Sequence, residues 1–209
     1  MNEKSLKEEQ LTLELLDAID KNNEVSQRSL AHGMGIALGL ANSYLKRCIR
    51  KGYIKMRQAP ANRYLYYLTP MGFAEKSRLT AAYLSYSFSF YRQASDSCRR
   101  AYNTCKQKGW EDILLCGVSE LAEIASLRAL ESELRIIGVY DEKTGQTSFV
   151  NTPVYKTMES VPDFDACLVT DLNSPHEMVE KLCKNLKTEQ IFVLDILGIN
   201  NGNNNAIGN

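Results

Sequence analysis

The chain has 209 residues, enough for one large or two small domains, and 44% of them are hydrophobic, as in an ordinary globular protein. Lysine and arginine balance aspartate and glutamate at 25 each, so the formal net charge is zero. No apolar run reaches the roughly 18 residues of a membrane span. The charged start MNEKSLKEEQ lacks the apolar core of a secretory signal, so a cytoplasmic protein is expected.

The balance of charge is not even along the chain. Met1 to Gly109 carries 18 Lys and Arg against 9 Asp and Glu, and the remainder carries 7 against 16. A basic half suited to a polyanion and an acidic half with another role are expected. The six cysteines, at 48, 98, 105, 116, 167 and 183, form no C-x-x-C pair and sit mostly in apolar patterns. They read as reduced core thiols, with a redox switch as the alternative.

Leu11 to Asp20 predicts a first helix, apolar at Leu11, Leu15, Leu16 and Ile19. Ser26 to Gly52, SQRSLAHGMGIALGLANSYLKRCIRKG, predicts two short helices and a tight turn. Ser26 is an N-cap, and Leu30, Ala31 and Met34 turn inward. Gly35 supplies a positive φ at the helix end, and Ile36 plugs the turn. The second helix, Leu38 to Lys51, would bury Leu38, Ala41, Leu45, Cys48 and Ile49, spaced three and four apart. Its outer residues, Gly39, Leu40, Asn42, Ser43, Lys46, Arg47 and Arg50, are mostly small, polar or basic, as an approach to DNA requires. Such helix pairs also occur in all-α domains that bind no DNA.

Tyr53 to Met56 and Arg63 to Leu68 predict two strands around the loop QAPAN. A hairpin after such a helix pair is a wing, and its tip would carry Arg57, Gln58, Asn62 and Arg63 toward phosphates or the minor groove. Thr69 and Pro70 then give an N-cap and a first-turn proline. Ser26 to Gly72, with SQRSLA, GIALGLAN, LKRCIRKGYIK and YYLTPMG, resembles the winged-helix regulators of the MarR type, especially those found beside exopolysaccharide genes. Ala37 stands where that family has a hydroxyl cap, and Leu40 where a polar or basic residue is common. The resemblance implies a transcriptional regulator that binds double-stranded DNA as a homodimer. Gln27, Arg28, Asn42, Ser43, Lys46, Arg47, Arg50, Arg57 and Arg63 are then the DNA-binding candidates, with Asn42 and Ser43 facing bases.

Gly72 to Lys108 predicts one long helix, with at most a single break. Leu79, Tyr83, Tyr86 and Phe90, then Ala94, Cys98, Ala101 and Cys105, mark one stripe. It would pack against its own domain or pair with a second copy. From Trp110 the period changes. EDILLCGVSE, LRIIGVYDE, DFDACLVTDL and QIFVLDIL are apolar runs separated by LAEIASLRALESE, by a loop with Gly145 and Pro153, and by SPHEMVEKLCKNLK. Apolar runs alternating with helices predict a small α/β domain with a parallel sheet. The expected organisation is a winged helix-turn-helix domain at 1–72, a linker helix at 73–109, the α/β domain at 110–198 and a disordered tail at 199–209.

ILLCGVSELAEIA resembles the first strand, turn and helix of nucleotide-binding and CoA-binding-like Rossmann domains, and of sensor-like domains in sugar acetyltransferases. That resemblance implies a nucleotide, CoA or nucleotide sugar as the cofactor or small-molecule effector. Gly117, Val118, Ser119, Glu120, Asp141 and Asp171 are the ligand candidates. Asp141 follows Gly117 by 24 residues, near the place of a ribose-binding acid. The full glycine fingerprint is absent, and Glu120 would repel a pyrophosphate, so a plain strand-to-helix turn is the competing reading. Asp171 and Asp195 at run ends read as helix caps or pocket walls. No catalytic constellation and no metal-ligand spacing is present. The expectation is a regulator with a sensing or partner-binding domain. Its rivals are a nucleotide-sugar enzyme and a protein-interaction module.

Overall fold

The computed structural model describes residues 3–60 and 63–199. Ile199, expected to open the disordered tail, is instead buried in the core of the second unit, while the rest of the tail, from residue 200 on, and the wing-tip role of Asn62 lie outside the described residues. The chain divides into two compact units, Met1–Phe88 and Ser89–Asn209. Among the described residues no helix is long and apolar enough to cross a membrane.

The first unit holds α1 (Glu3–Lys21), α2 (Gln27–Gly33), α3 (Leu38–Arg50), β1 (Ile54–Ala59), β2 (Arg63–Leu68) and the start of α4 (Pro70–Gln107). Its core joins Leu15, Leu16 and Ile19 of α1 to Leu30, Leu45, Cys48, Ile54, Tyr66 and Leu79. Burying these side chains contributes about 1.5–3 kcal/mol for each large one. α1 begins well before Leu11. Its first two turns have no apolar period to betray them, but they carry Glu8 and Glu9 to the arginines of α3 and α4.

α3 buries Ala41, Tyr44, Leu45 and Cys48, one stripe at spacings of three and four. Leu38, expected inside, is 43% exposed, and Tyr44 takes the inward place. The first turn of α3 projects past the packed core, so Leu38, Gly39 and Leu40 all face solvent. β1 and β2 pair antiparallel from Ile54↔Leu68 to Ala59↔Arg63. α4 is one unbroken helix; its opening is capped by the Thr69 hydroxyl, which accepts the Gly72 N–H at 3.0 Å.

The second unit is built on a six-stranded sheet of order β5-β6-β4-β3-β7-β8. β3 (Asp112–Cys116), β4 (Arg135–Tyr140), β6 (Thr152–Tyr155), β7 (Ala166–Val169) and β8 (Ile191–Val193) run parallel, and β5 (Ser148–Phe149) pairs antiparallel to β6. The alternation of strand residues assigns the two faces. Ile113, Leu115 and Leu168 meet Cys98, Tyr102 and Cys105 of α4 and Leu121 and Ala125 of α5 (Glu120–Glu131). Leu114, Cys116, Cys167 and Val169 meet Met178 and Leu182 of α6 (Pro175–Asn185). Apolar strands without polar alternation are therefore covered on both faces, as the parallel arrangement requires.

The β5–β6 hairpin lies in a stretch expected as loop. Its two-residue turn, Val150 and Asn151, has φ of 45° and 60°. Positive φ at both positions makes it a mirror-type hairpin turn, and no glycine announces it. All six cysteines are free, five of them buried. Burial pushes the Cys48 thiol up to about 11 and the Cys98 and Cys105 thiols up to about 12, which keeps them protonated and unreactive at neutral pH.

Candidate nucleic-acid interface

The helix pair is set by short-range bonds. The Ser26 hydroxyl accepts the Ser29 N–H while the Ser29 hydroxyl accepts the Ser26 N–H, a closed capping box at the start of α2. The turn closes when Ile36 N–H reaches Ala31 O at 3.0 Å, with Gly35 at φ 62°. α3 starts at Ala37 without a side-chain cap. It ends where Tyr53 N–H bonds Cys48 O, and the Thr69 hydroxyl donates to Gly52 O at 2.6 Å. One threonine thus ties the end of α3, the start of the wing and the first turn of α4.

Between Val25 and Ala74 the chain carries eight Lys and Arg and no Asp or Glu. The acids of the first unit lie in α1, in the following turn and in α4. Among the described residues they pair with Lys21, Arg47, Arg63, Lys76 and Arg78 and not with the outward stripe of α3. Lys76 bonds Asp17 at 2.8 Å and Asp20 at 2.7 Å. Arg78 bonds Glu9 at 3.2 Å and Glu75 at 2.9 Å. The hydrogen bonds from Lys21 and Lys76 hold the Asp17 carboxyl below the usual carboxylate range, and Arg78 does the same for Glu75. Among the described residues Arg28, Lys46, Arg50, Lys55 and Arg57 pair with no carboxylate, and all five are exposed.

The sequence candidates therefore separate. Gly39, Ser43, Lys46 and Arg50 follow one outward stripe of α3, opposite the buried one. Arg47 lies on its flank, bonded to Glu8 at 3.1 Å and over the Tyr44 ring at 5.5 Å. Asn42 is half-buried, and its side-chain oxygen is enclosed without a partner. Arg57 stands within β1 opposite Leu65, not at the hairpin tip, because β1 runs on to Ala59. Arg63 faces Glu24 at 3.9 Å, and the Gln27 amide donates to the Tyr66 hydroxyl at 3.4 Å. Sequence reasoning passed over Lys51 and Lys55, both exposed. The acid-free window from 25 to 74 is the signal that finds them.

In the second unit the turn after β3 is closed by its own side chains. Gly117 has φ 110°, and a Cβ there would lie 2.5 Å from the Asp171 backbone nitrogen. Glycine is needed for that close approach between two loops. The Val118 N–H, which a phosphate would need, donates instead to Asp141 at 2.9 Å. The other Asp141 oxygen accepts the N–H groups of Lys143 and Thr144. Burial alone would raise the Asp141 pKa. The Val118, Thr144 and Lys143 amides and the Lys156 charge outweigh it and lower the value. The Ser119 hydroxyl donates to Thr170 O at 2.6 Å and caps α5 through Ala122. Asp171 accepts from Asn173 and Ser174, in the loop that leads into α6. Glu120 is exposed in the first turn of α5, where it stabilises the helix dipole. This donor set does not fit a pyrophosphate, and Asp141 is not free for a ribose.

Residues 8–55 match the family described as winged helix-turn-helix DNA-binding. The match runs from within α1 to the second residue of β1. No curated protein matches the chain.

Proposed function

We propose that this chain is a transcriptional regulator that binds duplex DNA through its N-terminal winged helix-turn-helix domain. The observation that carries the reading is the outward stripe Ser43, Lys46 and Arg50, in an acid-free stretch that also exposes Arg28, Lys55 and Arg57. Unpaired cations on a helix with its other face buried are what phosphate contact requires. Within that class the reading is a MarR-type regulator, and the link to polysaccharide genes rests on the motifs SQRSLA, GIALGLAN, LKRCIRKGYIK and YYLTPMG alone. Titrating a fluorescent random duplex across a salt series tests the reading. Affinity should fall log-linearly with salt, by a slope of about 0.9 for each phosphate neutralised. Absence of salt-dependent binding would count against it.

The proposal includes a homodimer. From Thr80 to Phe88, α4 buries no side chain, yet Tyr83, Leu84, Tyr86 and Phe88 are 45–58% exposed. An apolar groove of about 100 Å³ runs beside them, lined by Leu6, Leu13, Leu79 and Ala82. A second copy is the partner that two half-sites on DNA would call for. The second unit takes a regulatory rather than catalytic part in this reading. The strand order β6-β4-β3-β7-β8 favours a Rossmann-like assignment. The closed Gly117 turn favours partner binding over a nucleotide cofactor. Turnover of a nucleotide sugar by the purified chain would contradict this part.

A further inference from the structure

We infer that the first turn of α3 selects thymine, with Leu38 and Leu40 clasping C5-methyl groups in the major groove on either side of Gly39. The inference rests on the reading of the N-terminal unit as a DNA-binding domain. Recognition helices of this type reach base edges with their N-terminal residues. Here those residues have no polar group to offer. Ala37 makes no cap bond, Leu38 and Leu40 are 43% and 45% exposed, and Gly39 has no side chain. The Asn42 amide oxygen is enclosed, so the first polar side chain fully in the open is Ser43.

Guanine is read by a bidentate Arg or Lys and adenine by a bidentate Asn or Gln. The cations Lys46 and Arg50 stand about two and three turns farther along. The one base feature of the major groove that an aliphatic side chain matches is the thymine methyl. Successive helix positions turn by about 100°, so the leucines flank the glycine stripe on both sides. A Cβ built on Gly39 meets nothing within 4 Å, so only an outside partner limits that position. The helix backbone can therefore approach the groove floor between two apolar walls.

The test begins with the full chain and a randomised duplex library. The enriched duplex is resynthesised with deoxyuridine in place of every thymine, which removes only the methyl groups. Wild-type protein should bind the uracil duplex about fourfold more weakly for each methyl that Leu38 or Leu40 buries, the equivalent of about 0.8 kcal/mol per buried carbon. A Leu38→Ala/Leu40→Ala variant should bind both duplexes alike with an unchanged salt slope. Both leucines lie outside the core, and alanine is the best helix former, so the fold is kept. Gly39→Ala should weaken binding at least tenfold without lowering the melting temperature. If wild type binds both duplexes equally, while salt-dependent selective binding persists, the inference falls and the DNA-binding reading stands. A double variant that still prefers thymine also overturns it. No salt-dependent duplex binding overturns both.

Discussion

Single side chains of this protein that look equivalent in the sequence do different work in the fold. Arg47 and Lys46 are neighbours, but Arg47 is fastened to Glu8 while Lys46 is unpaired. Arg47→Ala should lower the stability of the first unit by up to about 1 kcal/mol, since the pair is partly exposed. It should change the DNA salt slope less than Lys46→Ala does; equal slope changes would give Arg47 a phosphate role. Asp141 offers a second contrast. Its carboxylate accepts three backbone N–H groups, and Asp141→Asn turns one acceptor into a donor facing them. A loss of about 1–3 kcal/mol in the second unit is expected by thermal or denaturant melting. The sign with pH follows from the lowered value. The folded carboxyl titrates below the ordinary 3.8, so its contribution is present above that pH and is lost as pH falls through the folded value. With the Asp141→Asn substitution, the melting of this unit should be flatter across that acid range.

At the scale of elements, the turn of the β5–β6 hairpin holds two adjacent non-glycine residues at positive φ. Val150 is β-branched and sits at φ 45°. Such a residue costs about 1–2 kcal/mol in the left-handed region, where asparagine is tolerated. Val150→Asn should therefore raise the stability of the second unit by about 1 kcal/mol; an unchanged or lower melting point would argue against the turn geometry. The same residue explains why the hairpin could not be read from the sequence. Hairpin turns are recognised by Asn-Gly or Asp-Gly pairs, and Val-Asn carries neither. The helix pair was legible because Ser26, Gly35 and the three-and-four spacing of α3 are local signals. The inward place of Tyr44, the exposure of Leu38 and the tether of Arg47 were not legible. Each depends on tertiary packing: α1 brings Glu8 to Arg47 and Tyr44, while the first turn of α3 projects past the core. The Gly117 turn was found from its strand and glycine. Its chemistry was not, because only the fold brings Asp141 and Asp171 against it.

At the scale of the whole molecule, charge follows the structural units less sharply than the sequence halves suggest. Met1–Phe88 carries 13 Lys and Arg against 8 Asp and Glu. What makes the proposed DNA face basic is the segregation of the acids to α1, its following turn and α4. The exposed Tyr83 and Tyr86 of α4 in this unit lead the account to expect self-association. Light scattering should give the mass of a dimer for wild type and of a monomer for Tyr83→Lys/Tyr86→Lys; a wild-type monomer would remove the dimer from the account. The central claim, that the outward face of α3 holds DNA phosphates, is tested most directly by salt-dependent duplex binding of Lys46→Ala/Arg50→Ala beside wild type. The account predicts folded protein with weaker binding to all sequences and a log–log slope smaller by about 1.8, two phosphates' worth. A folded variant with the wild-type slope would contradict it.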